Sequence, residues 1–221
     1  MPSDRIARTL EAASSLPPAY TPSVADVDIL MLGSPGTGKS TFLARLPQVH
    51  EGPVTSSTPL RPIDLENRPF TFSVSLFRRP YTFHIWPSTG TLFIDSFPEN
   101  PRFVIIAYDI TSRVSLHNAQ FYWRKQYMMH FNSHEHITPV MLLGLKRDLR
   151  TDQTDEEGRH ICVMPEEGLE AASSMRCDKY AECSALTGEL LWEAVEDITK
   201  VAARTTTEKG GLSEGTSCVV I

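Results

Sequence analysis

Short apolar runs alternate along this chain with stretches of helical spacing. Residues 27–32 are nearly all apolar, the pattern of a parallel strand buried on both faces. Residues 39–46 follow, with Phe42, Leu43 and Leu46 on one helical face, and Pro47 is expected to end that helix. Residues 47–69 hold five prolines and many Ser and Thr, and read as a long exposed loop. Two alternating segments, 70–77 and 81–86, flank Arg78-Arg79-Pro80 and predict a hairpin. A second irregular stretch covers 87–101. The rhythm then returns, with strand 103–108, helix 115–131, strand 140–144, a polar and acidic connection at 150–164, helix 165–175, strand 180–183 and helix 187–203. Strand–helix alternation with one hairpin predicts an α/β fold. The expected form is a three-layer sandwich around a mostly parallel six-stranded sheet, with one antiparallel edge strand and about five helices.

Composition narrows the class. The chain has 221 residues, 41% hydrophobic and 22% charged, enough for one α/β domain with its own core. The net charge of −6 argues against a nucleic-acid partner held by a basic surface. No apolar run reaches the roughly 18 residues of a membrane span. Residues 1–20 lack the apolar centre of a secretory signal. The cysteines Cys162, Cys177, Cys183 and Cys218 form no CxxC pair, which points to a reduced, cytoplasmic chain. Residues 1–25 read as a flexible extension, with Ser3 able to cap a short helix bearing Ile6 and Leu10. The domain is expected over 26–203, followed by a disordered tail at 204–221.

The strongest chemical signal lies between the first strand and the first helix. Gly33-Ser34-Pro35-Gly36-Thr37-Gly38-Lys39-Ser40 matches GxxxxGK[ST] in that context. Glycines let successive backbone N–H groups converge on phosphate oxygens, and the helix N-terminus adds favourable partial charge. Lys39 places a cation near the β/γ-phosphates, and the Ser40 hydroxyl suits Mg²⁺. With Thr41, these residues form the expected phosphate-binding set.

Later segments suggest which nucleotide. Leu145-Lys146-Arg147-Asp148 follows one strand, and Ser184-Ala185-Leu186 follows another. With Tyr108-Asp109-Ile110-Thr111-Ser112 and Pro165-Glu166-Glu167-Gly168, the chain resembles the Ras superfamily of small GTP-binding proteins, most of all its Rho branch. The resemblance covers about residues 27–203 and implies a GTP/GDP switch. In that family an (Asn/Thr)-Lys-x-Asp motif holds guanine. Asp148 matches the residue that accepts the base N1–H and amine, and Lys146 matches the one packed along the base. Leu145 replaces a polar residue. Ser184, Ala185 and Leu186 stand for Ser-Ala-Lys, Ala185 offering its backbone N–H to the base.

The resemblance assigns hydrolysis to Lys39, Thr58, Gly90 and Thr91, and Mg²⁺ to Ser40 and Thr58. Thr58 lies nineteen residues after Lys39 and precedes Pro59, with Thr55, Ser56 and Ser57 as competitors. Pro87 stands where a Mg²⁺-linked Asp belongs, and Thr91 where a water-orienting Gln belongs. Asp95 is a candidate displaced carboxylate. Proline offers no carboxylate and threonine no amide, so slow or absent hydrolysis is expected. Residues 151–164 look short for the inserted helix of Rho proteins, so the resemblance is to an atypical Rho-like or generic Ras-like protein rather than an orthodox Rho. Two other readings stay open: a P-loop ATPase or kinase, and a pseudo-GTPase scaffold.

Cys218-Val219-Val220-Ile221 matches the C-a-a-X prenylation pattern. Its tail holds no polybasic stretch, so weak, reversible attachment to the cytoplasmic face of a membrane is expected. Effectors, exchange factors and GAP-type regulators are the partners implied. His130, His134 and His136, the aromatic run 121–131 and the acidic run 152–157 read as solvated or core residues.

Overall fold

The computed structural model describes residues 24–49, 51–62, 69–76, 79–88, 97, 101–131 and 138–206. Six strands form one sheet: β1 (Ala25–Leu32), β2 (Phe70–Leu76), β3 (Arg79–Pro87), β4 (Phe103–Asp109), β5 (Val140–Leu145) and β6 (Lys179–Glu182). Their order is β2-β3-β1-β4-β5-β6. Every pairing is parallel except that of β2 with β3, so the antiparallel edge expected from the hairpin is present.

The helices are α1 (Lys39–Val49), α2 (Arg113–Asn118), α3 (Arg124–Phe131), α4 (Pro165–Ser174) and α5 (Leu191–Arg204). Alternate residues of β1, β4 and β5 feed two cores. Ile29, Met31, Phe83 and Ile105 pack with Phe42, Leu43 and Leu46 of α1 and Leu191, Val195 and Ile198 of α5. Leu30, Leu32, Val104 and Ile106 pack with Leu116, Trp123 and Tyr127, and with Ala171 and Ala172 of α4. Both faces of the sheet are therefore covered, which explains the continuous apolar strands.

Several boundaries differ from the sequence pattern for identifiable reasons. Helix α1 runs through Pro47 to Val49. A proline so near the end removes a single intrahelical bond, and the Gln48 side chain ties the last turn to Arg45 and to the Pro59 carbonyl. Arg79 and Pro80 belong to β3, not to the turn: Pro80 pairs with Ser75, and β1 begins only opposite Tyr81. The helix expected at 115–131 begins at Arg113, capped by Ser112, and is broken by a π-helical turn at Ala119–Trp123. Helix α5 starts at Leu191, later than expected, because Gly188 and Leu190 both have positive φ. It also takes in Arg204, and the hydroxyls of Thr205 and Thr206 donate to the carbonyls of Ala202 and Ala203. Residues 151–164 form a tight turn bridged from Thr154 to His160, with no helix.

The expected N-terminal helix, Gly90, Thr91, Asp95, His134, His136 and Cys218 lie outside the described residues. Among the described residues, no helix is long and apolar enough to cross a membrane, and no cluster of His, Cys, Asp or Glu has metal-binding geometry.

Candidate functional site

The site collects at the carboxyl ends of β1, β3, β4, β5 and β6, where a doubly wound sheet opens a crevice. The glycine-rich loop leaves β1 at Gly33. A Cβ there would meet the Ala107 carbonyl oxygen of β4 at 2.5 Å, so only glycine lets the chain pass. Gly36 and Gly38 have φ of +78° and +101°, which turns the loop into the N-terminus of α1. The amides of Gly36, Gly38 and Lys39 have no acceptor among the described residues. Pro35 and Gly36 are exposed at the tip, and the exposed Ser40 hydroxyl has no hydrogen-bond partner among the described residues.

Lys39 is buried and folds along the loop. Its Nζ donates to the carbonyls of Gly33 (2.6 Å) and Ser34 (3.0 Å). Burial lowers its pKa to about 8, so its charge is ready to be reinforced by an anion. The Thr37 hydroxyl donates to the Ser34 carbonyl at 3.0 Å. The Ser34 hydroxyl accepts from Trp123 Nε1 (3.3 Å) and Asn118 Nδ2 (3.4 Å), tying the loop to the π-helical turn. Ser88 is buried behind the loop, donating its amide to the Met31 carbonyl and its hydroxyl to that of Gly33. Pro87, level with Met31, brings no side-chain ligating atom.

The second half of the crevice follows β5. Lys146 has φ +63° and lies across the loop, its Cε 3.6 Å from where a Gly38 Cβ would sit. Its Nζ donates to Asp109 Oδ2 at 2.7 Å, and Asp109 Oδ1 accepts from the Thr111 amide and hydroxyl. Asp148, in a 3-10 turn at Arg147–Leu149, is half-buried, and its carboxylate has no protein partner among the described residues. Leu145 is 1% exposed and packs in the core with Cys183 and Ala185.

Ser184 organises the neighbouring loop. Its Oγ accepts from the amides of Leu186 (3.2 Å) and Thr187 (3.0 Å). The Ala185 amide has no acceptor among the described residues. Leu186 is 47% exposed, so replacing the expected lysine leaves an apolar side chain at the rim.

Thr58 lies in a turn of its own segment. Its Oγ1 accepts from the Thr55 amide (3.0 Å) and lies 3.2 Å from the Thr55 hydroxyl, which also contacts Ser57. The structure thus brings together 33–41, 146, 148 and 184–186, while Thr58 closes a turn of its own. Sequence reasoning missed Asp109, Ser88, Asn118, Trp123 and Arg45 as supports. A carboxylate ending an apolar strand was the one legible signal, at Asp109.

Comparison with known proteins gives a consistent picture. The Ras family model matches residues 28–204. GTP-binding protein RHO2 of Saccharomyces cerevisiae is 33% identical over 103 residues, 46% of this chain and 50% of that protein. GTP-binding protein rho1 of Schizosaccharomyces pombe is 31% identical over 128 residues, 53% of this chain and 60% of that protein. Rho-related GTP-binding protein RhoF of Mus musculus is 28% identical over 207 residues, 88% of this chain and 90% of that protein. The matched part spans 50% to 60% of the length of the first two relatives.

Proposed function

The chain belongs to the Ras family, with Rho-type relatives, and on that premise we propose that it is a guanine-nucleotide-binding switch with slow GTP hydrolysis. The observation that carries this reading is the pair of unused groups at the base end. The Asp148 carboxylate and the Ala185 amide are both without protein partners among the described residues. A carboxylate accepts two N–H donors, and guanine offers an adjacent N1–H and amine, which adenine lacks. The Ala185 N–H suits the guanine carbonyl. Lys146 is held by Asp109, so that its stem flanks the base.

At the phosphate end, the loop amides and the Lys39 ammonium receive the polyphosphate. Ser40 and Thr58 are the residues that would hold Mg²⁺, which neutralises charge between phosphate oxygens. The Thr58 hydroxyl is engaged with Thr55, and turning it to a metal would exchange those bonds, an order–order change of the sort switch segments make. Pro87 and Thr91 leave the attacking water without a carboxylate-linked metal or an amide to orient it, which is why hydrolysis is slow. Cys218 is the prenyl acceptor, and one lipid without a polybasic stretch gives weak, reversible membrane binding. Effector, exchange-factor and GAP-type proteins are the partners this role requires.

Gently purified protein is expected to carry GDP or GTP, displaced by GTP but not by ATP, and released faster when Mg²⁺ is chelated. Single-turnover hydrolysis is expected to be slow and to rise in the Pro87→Asp/Thr91→Gln double variant. Equal displacement by ATP overturns guanine selectivity. A nucleotide-free chain that binds neither points to the scaffold reading.

A further inference from the structure

Arg45 is fully buried in α1, and its partners among the described residues are neutral oxygens. Nε donates to the Ala185 carbonyl at 2.7 Å. One terminal nitrogen donates to Gln48 Oε1 (2.9 Å) and the Pro59 carbonyl (3.2 Å), and the other to the Leu186 carbonyl (3.5 Å). Gln48 Nε2 adds a second bond to Pro59, at 2.8 Å. One guanidinium thus joins three chain segments: α1, the stretch ending at Pro59, and the loop after β6. The last two also touch directly, because the missing Cβ of Gly188 leaves room for the Val54 carbonyl.

The position of these bonds gives them meaning. The peptide between Ala185 and Leu186 is gripped at both ends: Arg45 takes its carbonyl, and Ser184 Oγ takes its N–H. That fixes the residue whose own amide has no acceptor among the described residues. Pro59 directly follows Thr58, so the same guanidinium anchors the candidate switch threonine. Four of the five guanidinium donors are engaged in a planar fork that an ammonium cannot imitate.

We infer that Arg45 is a positioning residue that clamps the base-binding loop to the Thr58 segment, so that guanine occupancy and the arrangement of residues 54–60 are coupled. This rests on the proposed guanine site. Coupling between sites needs a shared physical element that both bias, and Arg45 supplies one.

The test compares full-length wild type, Arg45→Gln, Arg45→Lys and Gln48→Met by backbone hydrogen exchange, with and without GDP. Arg45→Gln is expected to speed exchange about tenfold in both 54–60 and 184–188, as loss of buried charged hydrogen bonds predicts, with the 154–160 turn unchanged. Arg45→Lys should not rescue it. Gln48→Met should loosen 54–60 alone, and it serves if the Arg45 variants fold poorly. GDP should slow exchange at 54–60 in wild type but not in Arg45→Gln. Uniform acceleration along the chain, or loosening of one segment only in Arg45→Gln, overturns the clamp. Failure of wild type to bind GDP overturns the guanine reading by itself, while the paired loosening still tests the clamp without nucleotide.

Discussion

The two ends of the crevice are built in opposite ways. The proposed phosphate end comes from one continuous stretch, residues 33–41, and the groups it offers are mostly backbone amides presented by glycine geometry. The proposed base end is assembled from side chains and amides after β4, β5 and β6, joined by the Lys146–Asp109 ion pair and by Arg45. A backbone cradle recognises phosphate on any nucleotide. A side-chain assembly decides which base is accepted, and it is sensitive to each support. The sharpest ways to separate the two ends are substitutions that change selectivity without touching phosphate binding.

Asp148→Asn is expected to have the largest effect. An amide presents a donor where guanine also presents one, so guanine nucleotides should bind about 100-fold more weakly, by loss of two charge-assisted hydrogen bonds. Xanthine offers a carbonyl at the amine position, so xanthine nucleotides should gain. Competition titration of both bases against one labelled nucleotide measures the exchange. Equal weakening for every base would place Asp148 outside base recognition and erase the contrast between the two ends.

The phosphate end should instead respond to pH. Burial lowers the Lys39 pKa to about 8 from 10.5, so the folded state binds fewer protons there than the unfolded chain between those values. Nucleotide-free protein therefore gains stability from this group as pH rises from about 8 toward 10.5. Affinity for GDP moves the other way, because the anion needs the ammonium: it should fall about tenfold per pH unit once above that pKa. Calorimetric stability and binding measured over the same pH series should cross in sign. A Lys39→Met variant should show weak binding with a flat pH profile in that window.

How much of this was legible follows from the same contrast. The GxxxxGK[ST] stretch is local, so its spacing, its glycines and the flanking strand and helix are visible together in the sequence. The continuous apolar runs mark β1, β4 and β5 because both their faces are buried, and the alternation at 70–86 marks the antiparallel edge because only one face of β2 and β3 is buried. Element ends were harder to read. The late start of α5 comes from Leu190 at φ +50° and from Gly188 packing against Val54, a contact between segments far apart in sequence. The π-helical turn leaves no mark in the periodicity, yet it carries Trp123 toward Ser34. Arg45 gives no sign of its role in the sequence, because its carbonyl partners reveal nothing through residue type. Leu145 illustrates the reverse: a lost polar group in the motif is a core residue, packed with Cys183, whose thiol burial pushes up to about 12.

The smallest expected effect tests whether the base end depends on its supports as much as on its contacts. Asp109 is mostly buried and holds Lys146 Nζ at 2.7 Å, while its other oxygen accepts from Thr111. Asp109→Asn can retain an acceptor for the Thr111 bonds but removes the negative charge opposite Lys146. A partly exposed ion pair contributes on the order of 1 kcal/mol or less, so guanine affinity should drop about threefold. Higher salt should shrink the gap between wild type and variant, because screening weakens the pair only where it exists. Phosphate-only ligands such as pyrophosphate should bind both proteins alike. If pyrophosphate binding falls with guanine binding, Lys146 acts through Gly38 on the phosphate loop, and the two ends form one unit.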